Sequence, residues 1–211
     1  FERRRERTVL ALLVVGLGLH AVSIGLRWQR LDHGPFVTMF EILSSNVWSL
    51  LAVFAVAYWR LPPVRATAAV VLPIMFVMMA WLLSSDEAAR SLPGTFYTLW
   101  LYVHIGFGKL FLGSILVAVG LAGIVLLRAV GVHWMGFERA PNDERLDELA
   151  YRFMAMGFVM DSLMLIAGAI WAQVAWGRYW SWDPLEVWAL VTWIALAIAM
   201  HLRGTVDASP R

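Results

Sequence analysis

WLYVHIGFGKLFLGSILVAVGLAGIVLL, residues 100–127, carries Lys109 as its single formal charge. A bilayer core roughly 30 Å thick is crossed by about 20 apolar residues in helical form, so this run reads as a transmembrane span. Five more stretches of the same kind flank it, at 8–28, 40–59, 64–84, 149–172 and 185–202. Over 211 residues the chain is 61% hydrophobic and 15% charged, and the apolar residues are spread along it instead of gathering in one core. That excludes a water-exposed globule. The expectation is an all-α, polytopic membrane protein, a six-transmembrane-helix bundle with short loops forming one integral membrane domain over residues 1–211.

The first stretch is too long for the core of a signal peptide and no small-residue cleavage site follows it, so it is expected to stay as a helix. The chain opens on Phe1, which suggests that a few residues precede it. Pro73 falls inside the third span and is expected to kink it, as membrane helices tolerate. Gly113, Gly120 and Gly123, with Ser114 and Ala118, give the fourth span a small-residue face for close packing. The one long hydrophilic stretch, GVHWMGFERAPNDERLDE at 131–148, reads as a connector in which His133 is a solvated residue.

The net charge is +2, but in a membrane protein the placement of basic residues says more than their sum. With the first residues inside, the inner segments hold Arg3, Arg4, Arg5, Arg7, Arg60, Arg65, Arg128, Arg139, Arg145, Arg152, Arg203 and Arg211. The outer ones hold Arg27, Arg30, Arg90 and Arg178. This asymmetry predicts both termini in the cytoplasm and loops 29–39, 85–99 and 173–184 on the extracytoplasmic side of a bacterial inner membrane. Lipid is the expected surrounding, and nucleic acid is not an expected partner. The absence of cysteine excludes disulfides, thiolate metal sites and covalent haem attachment, so the chain is not itself a c-type cytochrome.

Six of the twelve tryptophans lie between residues 171 and 193: Trp171, Trp176, Trp180, Trp182, Trp188 and Trp193. Aromatic residues gather at membrane interfaces, which accounts for part of this density. It does not account for Trp176-Gly177-Arg178-Tyr179-Trp180-Ser181-Trp182-Asp183-Pro184, where aromatic faces alternate with a small residue and single charges in a loop. Such a loop offers a flat apolar platform with a cation, Arg178, beside it. That suits a large planar macrocycle carrying two propionates, and haem fits the description. Asp183, Pro184 and Glu186 have a structural reading as well, as the N-cap, first position and acid of a capping box that opens the sixth helix; contact with a ligand stays open.

The string Trp171-Ala172, Trp176-Gly177, Tyr179-Trp180, Trp182-Asp183-Pro184, Glu186, Trp188, Leu190, Trp193, His201 and Arg203 resembles the tryptophan-rich haem-handling signature of the CcsA branch of cytochrome c assembly proteins. Arg27-Trp28, His33-Gly34-Pro35 and Phe40-Glu41 look like the early motif positions of that family. The resemblance implies a protein that binds haem b and presents it outside for thioether attachment to apocytochrome c. It would be a component of a haem-attachment (synthetase) system working with other assembly proteins, not an enzyme acting by itself. Two departures stand out. The external histidine that the family places downstream of the loop, after a further helix, has no counterpart within these residues. The Asp-Pro-Lys-Glu usual in that branch is Asp-Pro-Leu-Glu here, with Leu185 in place of the cation.

Imidazole is the obvious axial ligand for haem iron. The resemblance places His104, near the outer end of the fourth span, at the family's upstream external histidine; the alternative is an interfacial histidine bonded to a neighbouring carbonyl. His33, in the first outer loop, is a candidate for the second axial position. His201 matches the family's transmembrane histidine, about 24 Å along its helix from the outer end, whereas His20 lies about 12 Å below the outer end of the first. A pair of His20 and His201 would therefore need tilt or two separate sites. Lys109 and Asp161 fall at similar depths, about 14 and 16 Å, and are expected to neutralise one another across the bundle.

Two other functions fit parts of this pattern. One is a haem b subunit of a respiratory assembly, partnered by multihaem cytochrome subunits, which moves electrons instead of haem. The other is a haem-linked regulator of tetrapyrrole synthesis. Fold resemblance alone does not decide among them.

Overall fold

A computed structural model of the chain describes residues 2–91, 94, 97–132 and 140–205. His133, Arg139 and Arg211, on which the sequence reading draws, lie outside the described residues. Within them the chain is all-helical: α1 (Glu2–Leu31), α2 (Met39–Arg60), α3 (Ala68–Leu83), α4 (Leu99–Ala129), α5 (Asp143–Trp176) and α6 (Pro184–Thr205). Each is long and apolar enough to cross a membrane once the 3₁₀ turn Pro62–Thr67 is counted with α3. The protein is therefore a multi-pass helical membrane bundle.

The helices begin and end where local chemistry allows. Thr38 caps α2, accepting the Glu41 amide at 3.2 Å, while the Glu41 carboxylate returns to the Thr38 amide at 3.3 Å. The third span differs from its expected start because Pro62 and Pro63 open a 3₁₀ turn, closed by the Thr67 hydroxyl on the Val64 carbonyl at 2.6 Å. α3 then runs through Pro73 without interruption. α5 is longer than its apolar stretch: 34 residues span about 51 Å at 1.5 Å each. Its charged first turns are helical because Asn142 caps Arg145 and because Glu148 pairs with both Arg145 and Arg152 on adjacent turns.

α4 and α5 share the most extensive helix contact, α2 and α3 pack on the other side of α4, and α1 and α6 flank the ends, α1 on α2 and α6 on α5. Small residues permit the close approaches. A Cβ on Gly113 would meet Val53 of α2 at 2.7 Å, and one on Gly120 would meet Val71 of α3 at 2.8 Å, as the small-residue face predicts. The packing is uneven along the bundle. Phe54, Val64, Met75, Leu121, Ile124 and Leu146 form a solid core at the end holding Glu2 and Thr205. Ion pairs Arg65–Glu6 at 2.8 Å and Arg203–Asp147 at 2.7 Å cross that end. The opposite end, beneath the tryptophan loop, holds an aromatic-lined cavity.

One expectation is overturned here. Lys109 and Asp161 do not pair: the Lys109 ammonium donates to Ser45 Oγ and Asn46 Oδ1, each at 3.0 Å, and both Asp161 oxygens are buried without a hydrogen-bond partner among the described residues. Their depths agree but their faces do not. Across the α4–α5 seam His104 sits against Gly168, Gly108 against Met164, and Ile115 and Phe111 against Gly157. Asp161, one turn from Gly157, falls on this seam, whereas Lys109 is rotated about 100° away from Gly108 and faces α2.

Candidate functional site

The tryptophan loop is set by the ends of two helices. Gly177 stops α5 by taking a left-handed conformation (φ 75°, ψ 17°), its N–H closing on the Gln173 carbonyl at 3.0 Å. Asp183 opens α6, its Oδ1 accepting the amides of Leu185 at 2.7 Å and Glu186 at 3.0 Å, with Pro184 at the first helical position. Glu186 closes the cap, not on Asp183 itself but on Ser181, whose amide and hydroxyl donate at 2.7 and 3.2 Å. Trp182 between them is held at φ 62°, a left-handed conformation that costs a non-glycine residue roughly 1–2 kcal/mol. Its ring is turned outward, 73% exposed, edge-on to Trp180 at 5.8 Å.

Beneath the loop lies a predominantly apolar cavity of about 490 Å³, within the range of small-molecule and cofactor sites. Its walls are His104 of α4, Met164, Gly168, Trp171 and Trp176 of α5, Tyr179 and Trp180 of the loop, and Asp183, Leu185 and Glu186 at the start of α6. The His104 ring stacks on Trp171 (6.2 Å between centroids, 15° between planes), and Trp171 meets Trp176 edge-on at 4.8 Å. His104 Nδ1 lies 2.9 Å from the Met164 carbonyl. A carbonyl only accepts, so Nδ1 is the donor here, and in the neutral ring Nε2 is the nitrogen with the lone pair. The two sequence readings of His104, metal ligand and carbonyl-bonded residue, are thus compatible: the bond to Met164 sets the tautomer a ligand needs. Trp180 leaves its buried Nε1–H without a partner among the described residues.

The other candidates are dispersed. Arg178 is exposed and lines no part of the cavity; Trp182 and Trp188 (69% exposed) are off its walls as well. His33 bonds the Gly34 carbonyl at 2.9 Å, stacks on Tyr97 and sits 3.9 Å from Glu41, outside the cavity lining. His20 pairs with Ser44 of α2 at 2.9 Å. His201 is exposed on α6 near Arg203, at the solid end.

Sequence reasoning missed Met164 and Gly168, because which residues of α5 face His104 depends on helix register. A Cβ on Gly168 would lie 2.7 Å from His104 Nδ1. Gly168→Ala is therefore expected to push the imidazole off the Met164 carbonyl while leaving the fold intact. The check is the His104 side-chain resonance in specifically ¹⁵N-histidine-labelled protein: an unchanged Nδ1 shift would mean that the ring does not depend on this glycine.

Residues 9–208 match the family model described as cytochrome C assembly protein. The cytochrome c biogenesis protein CcsA of Synechococcus sp. (strain CC9902) is 30% identical over 231 residues, an alignment covering 94% of this chain and 75% of that protein. The CcsA protein of Parasynechococcus marenigrum (strain WH8102) is 32% identical over 230 residues, with 94% and 75% covered. That of Guillardia theta is 30% identical over 225 residues, with 94% and 71% covered.

Proposed function

The chain belongs to the cytochrome c assembly protein family, and from that premise we propose that it takes haem b as cargo in the cavity under the tryptophan loop and presents it for cytochrome c maturation. The observation that carries this reading is the pairing of His104, whose Nδ1 is engaged by the Met164 carbonyl, with an apolar aromatic wall in one cavity of about 490 Å³. The residues present fit the group. Trp171, Trp176 and Trp180 offer ring faces, the orphaned Trp180 Nε1–H awaits an acceptor, and the His104 imidazole is oriented from behind by the Met164 carbonyl. Haem supplies the vinyl groups that become thioethers on an apocytochrome. The protein's part is to hold the ring, to keep His104 in the ligating tautomer and to shield the site from water.

Membership of an assembly family favours a cargo that is handed on over an electron-transfer haem held in place, and His104 is the histidine of the cavity wall among the described residues. The arginine asymmetry supports a loop on the extracytoplasmic side of a bacterial inner membrane, where apocytochrome c and other assembly proteins would meet it. Protein purified gently from a haem-replete host is expected to give the pyridine haemochrome of haem b and to lose that haem to excess apomyoglobin. Cysteine at Arg178 is expected to label from outside the cell and cysteine at Glu144 only after permeabilisation. A haem-free preparation, a haem that apomyoglobin never extracts, or the opposite labelling pattern would each overturn the corresponding part of the reading.

A further inference from the structure

Lys109 is an ammonium inside a membrane helix, held by neutral groups alone among the described residues. Ser45 Oγ and Asn46 Oδ1 take two of its three N–H bonds at 3.0 Å each, and no carboxylate lies within ion-pair distance. Asp161, at similar depth, is on the seam with α5 and out of its reach. A charge left in this state in a bilayer is costly and marks a functional position by default. The space in front of it supplies the second observation. A smaller cavity of about 210 Å³ is lined by Lys109, Ser45, Asn46 and Gly108, and it shares Ile42, His104, Leu112 and Met164 with the aromatic cavity. His104 is therefore common to both, and Lys109 lies five residues further along α4, about 7.5 Å of rise. Arg178, the cation that the sequence sets beside the platform, lines neither cavity.

We propose that Lys109, positioned by Ser45 and Asn46, is the carboxylate subsite of this cavity and receives a propionate of the tetrapyrrole. The inference rests on the haem-binding reading above and adds to it the group that recognises the acid side arm. The chemistry is complementary on both sides. The ligand's carboxylate neutralises the one ammonium that the bundle leaves without an acid, and the third Lys109 N–H gains a charge-assisted acceptor. Ser45 is 5% exposed, and Lys109 and Asn46 are half-buried within membrane-spanning helices, where there is no bulk water to screen the pair.

The test compares iron protoporphyrin IX with its dimethyl ester, titrated into purified protein in zwitterionic lipid by quenching of tryptophan fluorescence. The ester is expected to bind roughly 10- to 100-fold more weakly than the free acid, the range for losing a hydrogen bond to a charged group. Lys109→Met is expected to bring the acid down to the ester's affinity and to leave the ester's own affinity and the Soret position unchanged. Wild-type protein that binds acid and ester alike overturns the proposal without any variant, as does a Lys109→Met protein that keeps the preference. Failure of both compounds to bind wild-type protein overturns the haem reading itself and this inference with it, a result distinct from binding without discrimination.

Discussion

His104→Ala protein is expected to lose the wild-type Soret spectrum and to recover it when imidazole is added. The side chain is stacked on Trp171 and fixed through Met164, so its removal leaves a gap on the cavity wall shaped for a free imidazole, while the aromatic faces stay in place. Loss of a partner that merely orients a metal-bound histidine weakens a site by roughly 10- to 100-fold; loss of the histidine itself should be at least as severe. Trp176→Ala with Trp180→Ala is expected to fail differently. Both line the cavity, a large aromatic side chain buries roughly 150–250 Å², and no small ligand replaces that face. Haem content should fall and imidazole should not restore it. Trp188→Ala, on an exposed ring outside the cavity lining, should bind haem as wild type does. An unchanged spectrum in His104→Ala would dismiss the cavity under the loop and direct attention to His20 and His201.

The number of helices is legible in the sequence because twenty apolar residues have few other uses, and the loop is legible because its capping residues stand at fixed spacing. What is not legible is azimuth. Counting 1.5 Å per residue puts Lys109 and Asp161 at one depth, yet one faces α2 and the other α5, and only the α4–α5 register, with Gly168 on His104 and Met164 on Gly108, separates them. The same blindness hides Met164, whose contribution is a backbone carbonyl that any residue type would supply. Charge placement misleads in its own way: Arg178 is adjacent to the platform in sequence, but the left-handed Gly177 beside it turns the chain out of the helix and leaves Arg178 in solvent. Arg27, Phe40 and Glu41, which look like early motif positions of the family, are found at the same end of the bundle as the loop, though not on the cavity wall.

Those early positions carry the largest stability effect expected in the molecule. Glu41 is 1% exposed and accepts from Arg27 Nε at 3.0 Å, from the Val37 amide at 3.0 Å and from the Thr38 amide at 3.3 Å. Arg27 in turn lies over the Phe40 ring at 5.0 Å and donates to the Glu87 carbonyl at 3.0 Å. One carboxylate thus ties α1, the 32–38 loop, the start of α2 and, through Arg27, Glu87 beyond the end of α3. Glu41→Ala strands a mostly buried guanidinium and two backbone amides together. Breaking a buried pair from one side costs about 3–5 kcal/mol, and haem-free Glu41→Ala protein should aggregate at a markedly lower temperature than wild type in the same detergent. Replacing both partners, Arg27→Met with Glu41→Leu, should recover part of that loss, because two apolar side chains leave no charge stranded. The converse result would be informative about His33, which sits 3.9 Å from Glu41 with its Nδ1 on the Gly34 carbonyl. If haem-free Glu41→Ala melts with wild type while haem content drops, the cluster acts on the ligand instead of the fold, and His33 becomes the residue to test as a second axial donor.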